Sequence, residues 1–291
     1  EPHHQFCRNF LGRVLAYAAD LIPDVTSTPQ DIDDAMKMGF NWIRGPFEMI
    51  DALGAEVVIK LAQDASCAIP QALQTSADHG PFYQVQDATL MVRNFDQTTS
   101  QLKPVQLPEG TERFSLTRRT LTPIASNRAA SLWRLPGDLR LVEFHSKANA
   151  LTGESMAIVR QAAEDHGTGI LIHNDAQHFS AGVDLNRFAD FIAREAWGEM
   201  DAFLNDFQQA VAALKYCPVP VVGAPSGLSL GGGFEVLLHC DRLLTHSNSV
   251  LGLVESGVGV VPGGGGVKTT YQRWFEATGD AEIAAWESWM Q

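Results

Sequence analysis

From residue 131 onward the chain alternates between two textures, and this alternation limits the fold more than any other feature. Short runs of β type recur. Leu139-Arg140-Leu141-Val142-Glu143-Phe144 alternates in polarity, Gly169-Ile170-Leu171-Ile172-His173 is apolar at its centre, and Val219 to Val222, Arg242 to Thr245 and Val250 to Leu253 suit further strands. Helical runs lie between them. Residues 153–165 suit a helix, and Met200, Phe203, Leu204, Phe207, Val211 and Leu214 make an apolar stripe over 198–216 until Pro218 stops it. Gly231 opens another helix through Leu238. Strands alternating with helices predict an α/β layered domain with mostly parallel strands, because a parallel connection needs a long crossover.

The first 64 residues have helical spacing throughout. Phe10, Leu11, Val14, Leu15, Tyr17, Ala18, Leu21 and Ile22 recur near the helical period until Pro23 breaks the run. A second helix follows Thr28-Pro29, with Pro29 suited to a first turn and Asp31, Asp33 and Asp34 near the positive end of the dipole. Gly45-Pro46 interrupts, Phe47 to Leu53 make a short helix ended by Gly54, and a further helix covers 55–64. Residues 65–130 are rich in Pro, Gly, Thr and Gln and read as an irregular connector or appendage, with Ala88 to Val92 suited to a hairpin strand. The expected organisation is therefore 1–64 helical, 65–130 connector and 131–291 α/β.

Composition excludes several function classes. A net charge of −13 argues against a nucleic-acid groove, which needs a basic footprint. No apolar run reaches bilayer length, and the N-terminus lacks the layout of a signal peptide, so no membrane partner is expected. Cys7, Cys67, Cys217 and Cys240 are scattered, which argues against a disulfide framework or zinc site and suits a reduced, cytoplasmic setting with no metal.

The candidate chemistry sits at glycine-dense turns. In Gly231-Gly232-Gly233-Phe234-Glu235 a helix starts among three glycines, where a ligand can approach backbone N–H groups that lack helical partners. Phe179-Ser180-Ala181-Gly182-Val183-Asp184 follows a strand and precedes a helix, so it could supply a second N–H to the same oxygen; its bland reading is an ordinary turn with Asp184 as helix cap. Losing one donor of such an oxyanion hole typically costs about 2.7–4 kcal/mol of transition-state stabilisation. Glu255 opens a second glycine-dense turn, Glu255-Ser256-Gly257-Val258-Gly259. Either glutamate alone reads as a favourable dipole or turn partner; two of them beside two candidate donor loops read as an acid and a base. The run Pro262 to Gly266 before Val267-Lys268-Thr269 fails the phosphate-loop pattern, because Val267 stands where a glycine is required. No strand-linked GxGxxG appears. His173 and His178 read as structural.

At these motifs the C-terminal half resembles the enoyl-CoA hydratase/isomerase, or crotonase, family. The resemblance rests on His145 to Leu151, Phe179 to Leu185, Ser226 to Glu235, and Leu251 to Glu255 with Gly257, Gly259 and Pro262 to Gly266. It implies a crotonase-like core in which the N–H groups of Val183 and Gly232 hold a thioester oxygen, Glu235 and Glu255 handle water and proton, and Lys147, Ala148, Asn149 and Ala181 help seat coenzyme A. In the N-terminal half, Asp31 to Met36, Gly39 to Trp42 and Gly45 to Glu48 resemble the C-terminal helical domain of 3-hydroxyacyl-CoA dehydrogenases. The order of the two is similar to bacterial bifunctional β-oxidation proteins.

The resemblance implies an acyl-CoA substrate and a parent that hydrates trans-2-enoyl-CoA and oxidises the product with NAD. The NAD domain lies upstream in that family and its crotonase domain continues through further helices that build oligomer contacts. The chain therefore reads as an internal fragment without a cofactor of its own, capable of forming a homo-oligomer. An enoyl-CoA isomerase, or a non-catalytic crotonase-fold fragment, are the alternatives.

Overall fold

Proline and glycine punctuate the first 64 residues into four helices. The structure, a computed structural model describing residues 2–96 and 99–290, has α1 (Pro2–Asp20), α2 (Pro29–Phe40), α3 (Pro46–Leu53) and α4 (Ala55–Asp64). The Thr28 side chain caps α2 by accepting the Gln30 N–H, and left-handed Asn41 ends it. Asp33, fully buried on α2, caps α3 from outside: its carboxylate accepts the N–H groups of Phe47 (2.8 Å) and Glu48 (3.1 Å) and the Tyr83 hydroxyl (2.9 Å).

The chain divides into two units, Glu1–Thr120 and Leu121–Gln291. Residue 130 begins a strand of the second unit, and residues 65–120 lie in the first. They form α5 (Gln71–His79), an antiparallel sheet of β1 (Tyr83–Gln86), β2 (Thr89–Phe95) and β3 (Ser100–Pro104), and the short α6 (Phe114–Thr117). Leu73, Phe82 and Phe95 enter the same core as Leu15, Ala19, Phe47, Ile50 and Val58. Asp51 fastens the sheet to α3 by accepting the N–H groups of Phe82 and Tyr83, each at 2.8 Å.

The second unit contains β4 (Ala125–Ser126), β5 (Ala130–Leu135), β6 (Leu139–Phe144), α7 (Gly153–Glu164), β7 (Ile170–Ile172), α8 (Leu185–Ala193), α9 (Trp197–Lys215), β8 (Val221–Gly223), β9 (Leu228–Leu230), α10 (Gly232–Leu238), β10 (Arg242–Leu243), β11 (Val250–Gly252), α11 (Gly266–Thr278) and α12 (Ala281–Met290). Its main sheet has the order β10-β8-β7-β6-β5-β4; the pairs from β6 through β10 are parallel and β4, β5 and β6 are antiparallel. Leu132, Val142, Ile170 and Val221 of this sheet share a core with Met156 and Val159 of α7 and Phe207, Val211 and Leu214 of α9.

The expected strand Val250 to Leu253 does not join that sheet. Instead β9 and β11 form a separate parallel pair in register Leu228↔Val250 to Leu230↔Gly252. Parallel bridges Ser180↔Ser229 and Leu151↔Val183 extend this second layer. The layer positions the site. Two parallel strands in register end at one edge, so the segments leaving Leu230 and Gly252 emerge side by side. Among the described residues no helix is long and apolar enough to cross a membrane.

Candidate active site

The glycines after β9 have distinct steric reasons. Gly231 has φ +51°, and a Cβ there would lie 2.8 Å from Glu255 Oε1. A Cβ at Gly232 would lie 2.7 Å from Val183 Cγ2, so the start of α10 sits directly on the 180–184 segment. In that segment the Gly182 carbonyl accepts the Leu151 N–H and the Asp184 N–H reaches the Leu151 carbonyl, which leaves Val183 between them. Among the described residues neither the Val183 nor the Gly232 N–H donates a hydrogen bond. The two expected oxyanion donors are thus neighbours, and both are idle. Asp184 also does what the bland reading expects, capping α8 by accepting the Asn186 N–H.

Glu235 is 2% exposed. Its carboxylate receives the Gly264 N–H on both oxygens (2.9 and 3.0 Å) and the Gly266 N–H on Oε1 (2.8 Å). Burial pushes its pKa up to about 7; the two amides favour the ionised form and oppose that rise, while the Glu255 charge adds to it. The run Pro262 to Gly266, which fails as a phosphate loop and forms part of the crotonase resemblance, is the cradle of this acid. A Cβ at Gly264 would overlap Phe207 and the Glu235 carboxylate. The signal available in the sequence was a run of side-chain-free amides just beyond the second glutamate.

Glu255 begins a 3₁₀ turn, Glu255–Val258, three residues beyond β11. Burial raises its pKa, opposed by its own and the Val254 amide, and its buried Oε2 has no hydrogen-bond partner among the described residues. The two glutamates therefore meet at one edge of the second layer, one carboxylate clamped and the other with an open oxygen.

The four residues expected at coenzyme A are brought together, but Asn149 faces inward. The Ala181 N–H donates to the Ala148 carbonyl at 3.1 Å, and Lys147, Ala148 and Ala181 are exposed. The Asn149 amide is buried, donating to Asn174 Oδ1 (3.2 Å) and the His178 carbonyl (2.9 Å), while its carbonyl accepts the Ser180 hydroxyl (2.8 Å). His173 and His178 hydrogen-bond the Ala224 carbonyl and the Leu228 N–H. Among the described residues no group of three or more His, Cys, Asp or Glu side chains could hold a metal ion.

Residues 141–279 match the enoyl-CoA hydratase/isomerase family, and residues 6–94 match the C-terminal domain of 3-hydroxyacyl-CoA dehydrogenase. The chain therefore carries a segment similar to the dehydrogenase C-terminal domain ahead of one similar to enoyl-CoA hydratases/isomerases. A Bacillus subtilis (strain 168) protein described as a probable 3-hydroxyacyl-CoA dehydrogenase is 33% identical over 90% of this chain and 34% of its own length. A Rickettsia felis protein described as a fatty acid oxidation complex trifunctional enzyme is 30% identical over 88% of this chain and 33% of its own. A solved enoyl-CoA hydratase from Polaromonas sp. JS666 has 24% identity and a TM-score of 0.48 over 55% of this chain and 63% of that one. The chain spans about a third of the length of the curated relatives it matches across both segments.

Proposed function

We propose that the second unit hydrates trans-2-enoyl-CoA thioesters to 3-hydroxyacyl-CoA. The observation that carries this is the convergence of Glu235 and Glu255 beside the idle N–H groups of Val183 and Gly232. One glutamate takes a proton from water as its oxygen bonds to C3, and the C2–C3 π electrons shift toward the thioester oxygen. The two amides hold that developing negative charge. The partner glutamate delivers a proton to C2, and the electrons return. The exposed turn at Lys147 and Ala148, with Ala181, seats coenzyme A, and Asn149 holds that turn in shape. Assembly into a homo-oligomer belongs to the same proposal and is supported by exposed Val261, Val267 and Phe275.

The names of the relatives support a place in fatty-acid β-oxidation, in which a longer chain of their layout also oxidises the hydration product with NAD. The glycine turns at 231 and 264 close on Glu255 and Glu235. No step through NAD is assigned to its residues.

The test is hydration of crotonyl-CoA, followed by loss of the enoyl-thioester absorbance, on this chain beside Glu235→Gln and Glu255→Gln. Turnover is expected in the unaltered chain, with most of it lost in each variant while a coenzyme A ligand still binds. Undiminished turnover in both variants would sink the assignment.

A further inference from the structure

His239 closes α10 in an unusual way. Its own N–H turns to the Val236 carbonyl, and its ring Nδ1 meets the Glu235 carbonyl at 2.7 Å. A carbonyl only accepts, so Nδ1 carries the proton. Burial, helped by the positive charges of Lys215, Arg273 and Lys268, lowers the pKa of the ring, so it is neutral and Nε2 is an acceptor. The group facing Nε2, at 3.3 Å, is the buried Thr269 hydroxyl, in the first turn of α11. Four residues along, Arg273 donates to the Leu238 and Cys240 carbonyls at 2.8 and 2.6 Å. Helix α11 is thus braced to the end of α10 at two places. The residues leading into α11 are the ones whose amides clamp Glu235.

We propose that His239 is a positioning residue for Glu235: through Thr269 it fixes the start of α11, and with it the Gly264 and Gly266 amides, against the Glu235 carboxylate. The ring thereby joins the main chain of Glu235 to the element that grips its side chain. The functional half of this inference rests on the assignment of Glu235 to hydration; the geometric half does not.

The experiment titrates the Glu235 carboxyl by carbon-13 NMR in the whole chain and in Thr269→Val, Thr269→Ala and Thr269→Ser, beside pH profiles of crotonyl-CoA hydration. Val and Ala cannot donate to His239. A loosened clamp withdraws N–H donors from the carboxylate, so the Glu235 midpoint moves up by roughly half a pH unit in both. The same variants lower kcat by roughly five- to ten-fold with KM unchanged. Serine restores both readings. An unmoved midpoint in the Val and Ala variants overturns the proposal, even where stability falls, and does so whether or not the chain turns over. A moved midpoint in a chain that hydrates nothing keeps the positioning role and removes the hydration reading instead.

Discussion

Asp33 in the first unit and Glu235 in the second are both buried carboxylates that accept backbone N–H groups at the start of a following helix. Burial pushes the first up to about 6 and the second up to about 7. Their neighbours separate them. Asp33 is surrounded by donors that serve the fold: two amides of α3 and the Tyr83 hydroxyl. Glu235 has its amide clamp, and beyond it a second carboxylate with an unpartnered buried oxygen and two idle N–H groups. A buried acid with hydrogen-bonded oxygens is thus a brace by default. What marks a site is the adjacent unspent polarity, since buried polar groups without partners are costly and uncommon.

The largest effect tests that distinction directly. Glu235→Gln and Glu255→Gln should each lower crotonyl-CoA hydration by roughly 10²- to 10⁴-fold, the usual contribution of a positioned acid or base. Asp33→Ala should leave turnover per folded molecule unchanged within about two-fold, yet lower the stability of the first unit by about 3 kcal/mol. It removes the cap of α3 and strands the buried Phe47 N–H, the part-buried Glu48 N–H and the Tyr83 hydroxyl. Urea unfolding followed by intrinsic fluorescence measures the second effect. If Asp33→Ala abolished turnover in a folded chain, the division between brace and site would fail.

The same contrast explains what could be read in advance. The helices of the first unit were legible because Pro29, Pro46 and Gly54 stand at their ends, and such punctuation acts locally. The glutamates stand out in the sequence because each sits beside glycines. The second layer was not legible: β11 was expected within Val250 to Leu253, but β9 was not, and three residues each are too few to show that the two pair. Their pairing, which brings Glu235 and Glu255 together, is set by a crossover of some twenty residues rather than by local propensity. Helix α5 escaped notice because it buries only Ala72, Leu73 and Ser76 in an otherwise polar segment. The inward turn of Asn149 depends on Asn174 and His178, which no local pattern connects to it.

The glycine cradle gives a smaller, sharper test. Gly264→Ala places a methyl where Phe207 and the Glu235 carboxylate already lie. Overpacking of this kind costs about 1–3 kcal/mol. Because the displaced group is the carboxylate itself, hydration should fall roughly ten-fold as well. Gly39→Ala is the control in the first unit: a Cβ there meets nothing within 4 Å, so neither stability nor turnover should fall. Equal behaviour of the two variants would show that the cradle does not grip Glu235.

The smallest effect separates the two acids by pH. Each has a folded-state pKa above its ordinary carboxylate value, so the folded chain binds more protons than the unfolded chain between those two values. Stability therefore falls as pH rises through that window. For Asp33 the window runs from 3.8 to about 6, and for Glu235 from 4.5 to about 7. Below pH 6 both contribute. Between pH 6 and 7 the loss comes mostly from Glu235, and should amount to roughly 1 kcal/mol. Glu235→Gln does not titrate, so it should flatten most of the fall between pH 6 and 7 and lessen the fall below pH 6, where Asp33 still contributes. Urea unfolding at half-unit pH steps measures both limbs. A Glu235→Gln chain that still lost the same stability between pH 6 and 7 would mean that the clamped carboxylate is already ionised below pH 6, with its amides outweighing its burial.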